Sequence, residues 1–419
     1  MRVSIDRSEV KGRVVIPSSK SYTLRGLILS AMAKGESEIL SPLASDDTDA
    51  ALDILSNIGV GTKQDKDVWR VNGGNFVPTG KDLRCRDSGV TFRFMTAIAS
   101  IVPGKHHLVP SAGLAKRPVE PLLDALSQLG VKLEKWPDGS IIVEGGTLKG
   151  GEAHIVGNIS SQFISALLLV TPRAEKPVKI KVTTVLESRP FVGMTMEYLE
   201  KFGIKVKTSP DLREFEITKQ EYHPARFRIE GDWTSASYPL ALGAVLGEVE
   251  ADNLNSESLQ GDKMILPFLS EMGAHVGISG NTITIKKGKL RAIKADFADV
   301  TDLLPTMGVL AAVAEGDSEF TGIARTRLKE SNRVSSLKEG LERMGIKVVE
   351  EQNRLVITGG TPKGAIINTY NDHRNAMAFS ILGALAGNTV INGAECVAKT
   401  YPEYWDMAKS IGMRFKVDE

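Results

Sequence analysis

Three short stretches of the chain gather cations beside hydroxyls or carboxylates. PSSKSYTLRG, residues 17–26, places Lys20 between two serines and Arg25 five residues on, ahead of the apolar run LILSAMA. RTRLKESNR, residues 325–333, carries Arg325, Arg327, Lys329 and Arg333 with Glu330 among them. In YNDHRNAMAFSILGALAG, Asp372, His373 and Arg374 stand directly before an apolar, helix-compatible segment. Lys and Arg in such clusters suit a ligand bearing carboxylate or phosphate groups. A carboxylate among them adds a group that can take or give a proton.

Each stretch also has a plainer reading. Ser19 or Ser21 can cap a helix by accepting a backbone N–H bond. If the second stretch is helical from about Lys329, Glu330 and Arg333 share one face as a solvated pair. Asn371 or Asp372 can cap the third helix. Recurrence tells against the plainer reading. RDSGVTFRF holds Arg86, Asp87, Ser88, Gly89 and Arg93; AKRPVEPLLDAL holds Lys116 and Arg117 ahead of Pro118, placed for a first helical turn. NISSQFISALLL holds Ser160, Ser161 and Gln162, and VAKTYPEY holds Lys399. Many polar helix entries, most carrying Arg or Lys, point to several helix N-termini converging on polyanionic ligands.

Nucleotide and metal signatures do not accompany them. GNFVPTGKD resembles a P-loop, but five residues separate its glycines and Asp follows the Lys. There is no G-x-G-x-x-G after a strand and no G-x-S-x-G elbow. Six histidines and two cysteines are scattered, without H-x-x-x-H or C-x-x-C. The expected ligands are anionic but neither ATP nor NAD, and no metal site is expected.

The elements that must position these residues show themselves as a repeat. LSNIGV, LSQLGV, LEKFGI, LSEMGA, LERMGI and KSIGM each end an amphipathic run in hydrophobic–Gly–hydrophobic. The glycines are Gly59, Gly130, Gly203, Gly273, Gly345 and Gly412, spaced 71, 73, 70, 72 and 67 residues apart. Gly ends a helix readily because it takes the left-handed conformation without Cβ strain. Strand, turn and strand follow, as in PDGSIIVEG, EQNRLVITG and ISGNTITIKKG. Six α/β units of about 70 residues therefore fill the chain. Three units per domain puts the boundary near residue 230, before IEGDWTSASYPLALGAVLG. The first strand, MRVSID, precedes the first repeat and is free to pair with the last. That makes the second domain discontinuous: 1–18 plus 230–419, against 19–229, with two short chain crossings.

Bulk composition agrees with such a protein. With 419 residues, the chain is too long for one ordinary core. It is 42 % hydrophobic and 25 % charged, and 52 basic against 51 acidic residues leave a net charge of +1. That balance argues against general binding to nucleic acid or membrane surfaces, so anion sites must be local. Cys85 and Cys396 give no disulfide framework, which fits a reducing cytoplasm. No apolar run approaches the roughly 18 residues of a membrane span, and the first residues show no leader. A cytoplasmic protein is expected.

Taken together, SKSYTLR, DSGVTFR, KRP, SSQF, QGD, RLKESNR, DHR and AKTYP, in this order and spacing, resemble the 5-enolpyruvylshikimate-3-phosphate (EPSP) synthase family. The resemblance runs over essentially the whole chain. It implies an α/β fold of two similar domains, each three repeats of an α/β unit, an inside-out α/β barrel with the active site in the interdomain cleft. It implies transfer of the enolpyruvyl group of phosphoenolpyruvate to the 5-hydroxyl of shikimate 3-phosphate, with release of phosphate. It implies two small-molecule substrates, no cofactor and a monomer. The domain 19–229 would bind mainly shikimate 3-phosphate, and the discontinuous domain mainly phosphoenolpyruvate.

Carried over motif by motif, the resemblance gives Lys20, Ser21, Arg25, Ser160, Ser161, Gln162, Ser188, Asp302 and Lys329 to shikimate 3-phosphate. It gives Lys20, Gly89, Arg117, Gln162, Arg333, Arg374 and Lys399 to phosphoenolpyruvate. Asp302 is then the candidate base at the 5-hydroxyl, and Glu330 or Lys20 the carrier of the proton at C3. Four positions depart from the family's usual pattern: Asp87 for Asn, Val90 for Thr, Phe191 for Tyr and Arg325 for Asn. Asp87 would repel phosphoenolpyruvate unless Arg84, Arg86 or Arg93 compensates, and Val90 bears on glyphosate sensitivity. Three rival readings fit the residues less well. UDP-N-acetylglucosamine enolpyruvyl transferase usually carries Lys-Asn where Lys20-Ser21 stands and a Cys in the loop that here reads VPSAGLAKRP. A non-catalytic sugar-phosphate binder gains nothing from extra carboxylates. An RNA 3′-end cyclase fits neither the charge nor the missing nucleotide motif.

Overall fold

The computed structural model describes residues 1–418 and divides into two compact units, Ser18–Ile229 and Met1–Pro17 with Glu230–Glu419. Each unit has its own hydrophobic core. Six helices lie in the continuous unit: α1 Lys20–Met32, α2 Asp46–Asn57, α3 Gly89–Ala99, α4 Glu120–Gln128, α5 Ser161–Val170 and α6 Arg189–Lys201. Six lie in the other: α7 Trp233–Leu246, α8 Ile265–Met272, α9 Leu304–Ala311, α10 Arg333–Arg343, α11 His373–Ala386 and α12 Tyr404–Ser410.

Alternate helices differ in kind. α3, α5, α7 and α9 are buried on nearly every side, as are most residues of α1 and α11. Sequences such as LILSAM and ISALLLV have no polar face, so only a position inside a unit accommodates them. The others are amphipathic and lie outside; α4 buries Leu122, Leu123, Ala125 and Leu126 and exposes its polar face. Gly59, Gly130, Gly203, Gly273, Gly345 and Gly412 follow these outer helices with φ between 82° and 107°. That is the left-handed conformation the repeat required.

Six four-stranded sheets complete the repeats. Each outer helix leads into an antiparallel pair, such as His275–Ser279 with Thr282–Lys286. Ile283 and Ile285 point into the core while Thr282 and Thr284 alternate outward. The last repeat borrows the N-terminus: Arg2–Ile5 pairs antiparallel with both Thr389–Asn392 and Phe415–Asp418.

Two local expectations change, and one open alternative is decided. The second cationic stretch is a 3₁₀ turn, Ala324–Leu328, and α10 starts only at Arg333. Lys329 and Glu330 therefore precede the helix, because Asn332 takes the cap. In the KRP stretch, α4 begins at Glu120, so Pro121 rather than Pro118 occupies the first turn. Ser19, not Ser21, caps α1; Ser21 lies inside its first turn.

Candidate active site

In the unit Ser18–Ile229, the entries of α1, α3 and α5 carry the predicted polar residues. Ser19, Ser88 and Ser160 are their N-caps, accepting from the backbone N–H of Tyr22, Thr91 and Gln162. Lys20 opens α1 and its Nζ lies 2.9 Å from Asp47 Oδ2, with both side chains mostly buried. Arg25, one turn on, is 2 % exposed. Its Nε donates to Thr195 Oγ1 at 2.8 Å, and its two terminal nitrogens to the carbonyls of Ser21 and Phe191, both at 2.9 Å. Burial lowers its pKa to about 10, so it stays charged at neutral pH. Phe191 thus contributes its backbone to the site even though its ring lacks the hydroxyl usual at that position.

At α3, an added Cβ on Gly89 would lie 2.9 Å from Arg93 Nη1 and 3.0 Å from Arg117 Nη1. Two guanidiniums therefore lie against the first turn of this helix, and any side chain at Gly89 would have to displace them. Gln162 lies in the first turn of α5, and its Oε1 accepts from Arg93 at 2.7 Å. Ser161 and Ser188 are buried at 4 % and 3 % exposure. Ser188 adopts φ 52°, a strained left-handed backbone, just before α6. Asp87 is engaged by the Ser111 hydroxyl at 2.8 Å, which spreads part of its charge onto a neutral donor.

In the other unit, Asp302 is the focus. Its Oδ1 accepts from Arg333 at 2.8 Å and Lys329 at 3.2 Å, and its Oδ2 from Arg374 at 3.0 Å. Arg333 also binds Glu330 at 2.7 Å and Asp372 at 2.8 Å, and Lys399 lies 3.8 Å from Glu330. All five predicted residues of this cluster, and Asp302, are thereby brought together. Glu330 and Arg333 pair at i,i+3 across a turn rather than along a helix face.

Burial pushes the Asp302 carboxyl up, but Arg374, Lys329 and Arg333 outweigh it and hold it well below the ordinary carboxylate value. The Lys329 ammonium is lowered to about 8, chiefly by burial. Arg374 stays firmly charged: burial works against it, but Asp302, Tyr238 and Asp262 together outweigh burial and raise it well above its ordinary value. Arg325 Nη2 donates to the Ala298 carbonyl at 2.6 Å, and its charge adds to the lowering of Lys329.

Sequence reasoning missed three partners. Asp47 looked like an ordinary acidic residue of a helix's first turn. Asp372 was seen only as a cap, yet it caps α11 and also fixes Arg333. Asp262, in the QGD stretch, is 3 % exposed; Thr234 donates to one of its oxygens, and the other is buried without a donor. Burial and then the Asp302 charge raise it to about 7.

Two clusters of buried cations, each balanced by carboxylates, can bind anions and move protons. A family model described as EPSP synthase (3-phosphoshikimate 1-carboxyvinyltransferase) matches residues 5–407. The chain belongs to the EPSP synthase family. A 3-phosphoshikimate 1-carboxyvinyltransferase from Dehalococcoides mccartyi is 44 % identical over 98 % of both chains. One from Methanosarcina mazei is 40 % identical over 99 % of both. In fold, the chain is similar to EPSP synthase from Acinetobacter baumannii, with TM-score 0.84, 24 % identity and full coverage of both chains. It is also similar to the enolpyruvyl transferase NikO from Streptomyces tendae, with TM-score 0.81, 18 % identity and 99 % and 98 % coverage.

Proposed function

We propose that the chain transfers the enolpyruvyl group of phosphoenolpyruvate to the 5-hydroxyl of shikimate 3-phosphate, releasing phosphate. The observation that carries this reading is Asp302, a buried carboxylate gripped by Arg333, Lys329 and Arg374 in a chain of this family. A mere anion binder has no use for a carboxylate that cancels its cations.

As it stands, Asp302 is a weak base because three cations stabilise its anion. Phosphoenolpyruvate competes for those cations with its own carboxylate and phosphate. Once Arg333 and Arg374 turn to the ligand, Asp302 loses its stabilisation and becomes able to accept a proton. The substrate thus switches on its own base. The 5-hydroxyl oxygen then bonds to C2 while its proton passes to Asp302 and C3 gains a proton. The resulting tetrahedral intermediate loses the C3 proton as the C2–O bond to phosphate breaks. Lys399, Arg117 and Lys20 stabilise the departing phosphate. Glu330, which pairs with Arg333, and Lys20, which pairs with Asp47, are the two groups to which we assign the C3 proton.

Ser21, Arg25, Ser160, Ser161, Gln162 and Ser188 supply the hydroxyl, amide and guanidinium contacts to shikimate 3-phosphate, with Lys329 as a further cation. Gly89 lets phosphoenolpyruvate approach the first turn of α3. We further read the protein as a cytoplasmic monomer acting on small molecules; no helix among the described residues is long and apolar enough to cross a membrane. The test is phosphate release from phosphoenolpyruvate with each acceptor separately. Turnover with shikimate 3-phosphate and none with UDP-N-acetylglucosamine is expected; the reverse overturns the reading.

A further inference from the structure

Arg93 belongs to no ligand assignment above, yet it joins three ligand-bearing segments. It is 3 % exposed. One terminal nitrogen donates to Gln162 Oε1 at 2.7 Å and more weakly to the Gly89 carbonyl at 3.4 Å. The other donates to the Pro118 carbonyl at 2.9 Å, next to Arg117. Its guanidinium lies over the Phe163 ring, 5.3 Å from the centroid, beside Gln162 in the first turn of α5.

A guanidinium donates and never accepts, and it does not lose its proton in a protein. Gln162 must therefore turn its carbonyl oxygen to Arg93. Its NH₂ group then points away, and a ligand at Gln162 meets two donors and no acceptor. By holding the Pro118 carbonyl, the same side chain fixes the backbone next to Arg117, whose guanidinium lies against Gly89 in the first turn of α3. We propose that Arg93 is a positioning residue that locks Gln162 as a donor-only contact and sets Arg117, so that this half of the site selects ligands presenting oxygen acceptors. The proposal rests on Gln162 and Arg117 being ligand contacts.

The test is a double-mutant cycle on the full chain, with Arg93→Gln, Gln162→Ala and the pair. The readouts are the binary Kd of shikimate 3-phosphate, the KM for phosphoenolpyruvate and the thermal midpoint. Arg93→Gln should weaken both ligands about tenfold or more, the loss of a charge-assisted hydrogen bond. In the Gln162→Ala background the same change should weaken shikimate 3-phosphate less than about threefold, because coupled residues are not additive. Arg93→Lys keeps the charge but loses the fork, and should behave like Arg93→Gln with a near-native thermal midpoint. If Arg93→Gln does not fold, Arg93→Lys carries the cycle. Guanidinium ion added to Arg93→Ala should recover affinity, which a purely structural role would not allow. Additive losses, or Arg93→Lys with native affinities, would overturn the proposal while leaving Gln162 a ligand contact. An inert Gln162→Ala would instead overturn the Gln162 assignment, and the proposal with it.

Discussion

Arg374 and Asp302 face each other at 3.0 Å, and each should fail in its own way. Arg374→Ala removes a cation assigned to phosphoenolpyruvate. Binding of that substrate should weaken roughly ten- to 150-fold, with shikimate 3-phosphate much less affected. Equal weakening of both, measured by calorimetry and initial rates, would point to a damaged unit instead. Asp302→Asn keeps size and removes the proton acceptor. Turnover should fall by about 10² to 10⁴ while shikimate 3-phosphate still binds. Asp262 gives a pH signature. Its folded value near 7 lies above that of the unfolded chain, so the native state holds the extra proton. Stability from this group is therefore full at low pH and declines as pH rises from about 4 to 7. Asp262→Asn, which cannot ionise there, should flatten that decline in denaturant titrations. An unchanged pH profile in the variant would show that Asp262 ionises normally.

At the scale of elements, the helix ends carry the fold, and Gly345 isolates their cost. It has φ 83° and nothing within 4 Å of an added Cβ. Gly345→Ala should cost about 1 to 2 kcal/mol from the left-handed backbone alone. At Gly59, an added Cβ would also meet Val77 at 2.6 Å, so Gly59→Ala should cost more. A Gly345→Ala protein as stable as the original would contradict the account of the repeat. These glycines made the fold legible in the sequence, because the end of each outer helix demands a residue type that stands out at a fixed period. The pairing of Arg2–Ile5 with the last repeat followed from counting strands. What stayed illegible were partnerships across long sequence separations. Nothing near Lys20 marks Asp47 as its counter-ion, and nothing in QGD shows that Asp262 is buried. Local pattern also misled at Lys329 and Glu330: the charge spacing suited a helix, but Asn332 caps α10 later and leaves both in the preceding turn. Cations and caps are chosen locally; their balance is decided only by packing.

For the whole molecule, near-neutral net charge conceals two local concentrations of cations, one in each unit. The residues assigned to shikimate 3-phosphate are drawn from both units: Gln162 from one, Lys329 from the other. Gln162→Ala and Lys329→Met should therefore each weaken its binary binding, by about tenfold or more where a charged bond is lost. Native affinity in either variant would confine that substrate to a single unit. Because both ligands bear on Asp302 and its cations, each should also raise the other's affinity by the same factor. The most direct test of the whole account follows C2 of phosphoenolpyruvate by carbon-13 NMR, with enzyme at substrate concentration. With shikimate 3-phosphate present, the C2 signal should pass to a tetrahedral ketal carbon and then to an enol ether as phosphate appears. A C2 signal that stays that of phosphoenolpyruvate, or that moves only when UDP-N-acetylglucosamine is supplied, would contradict it.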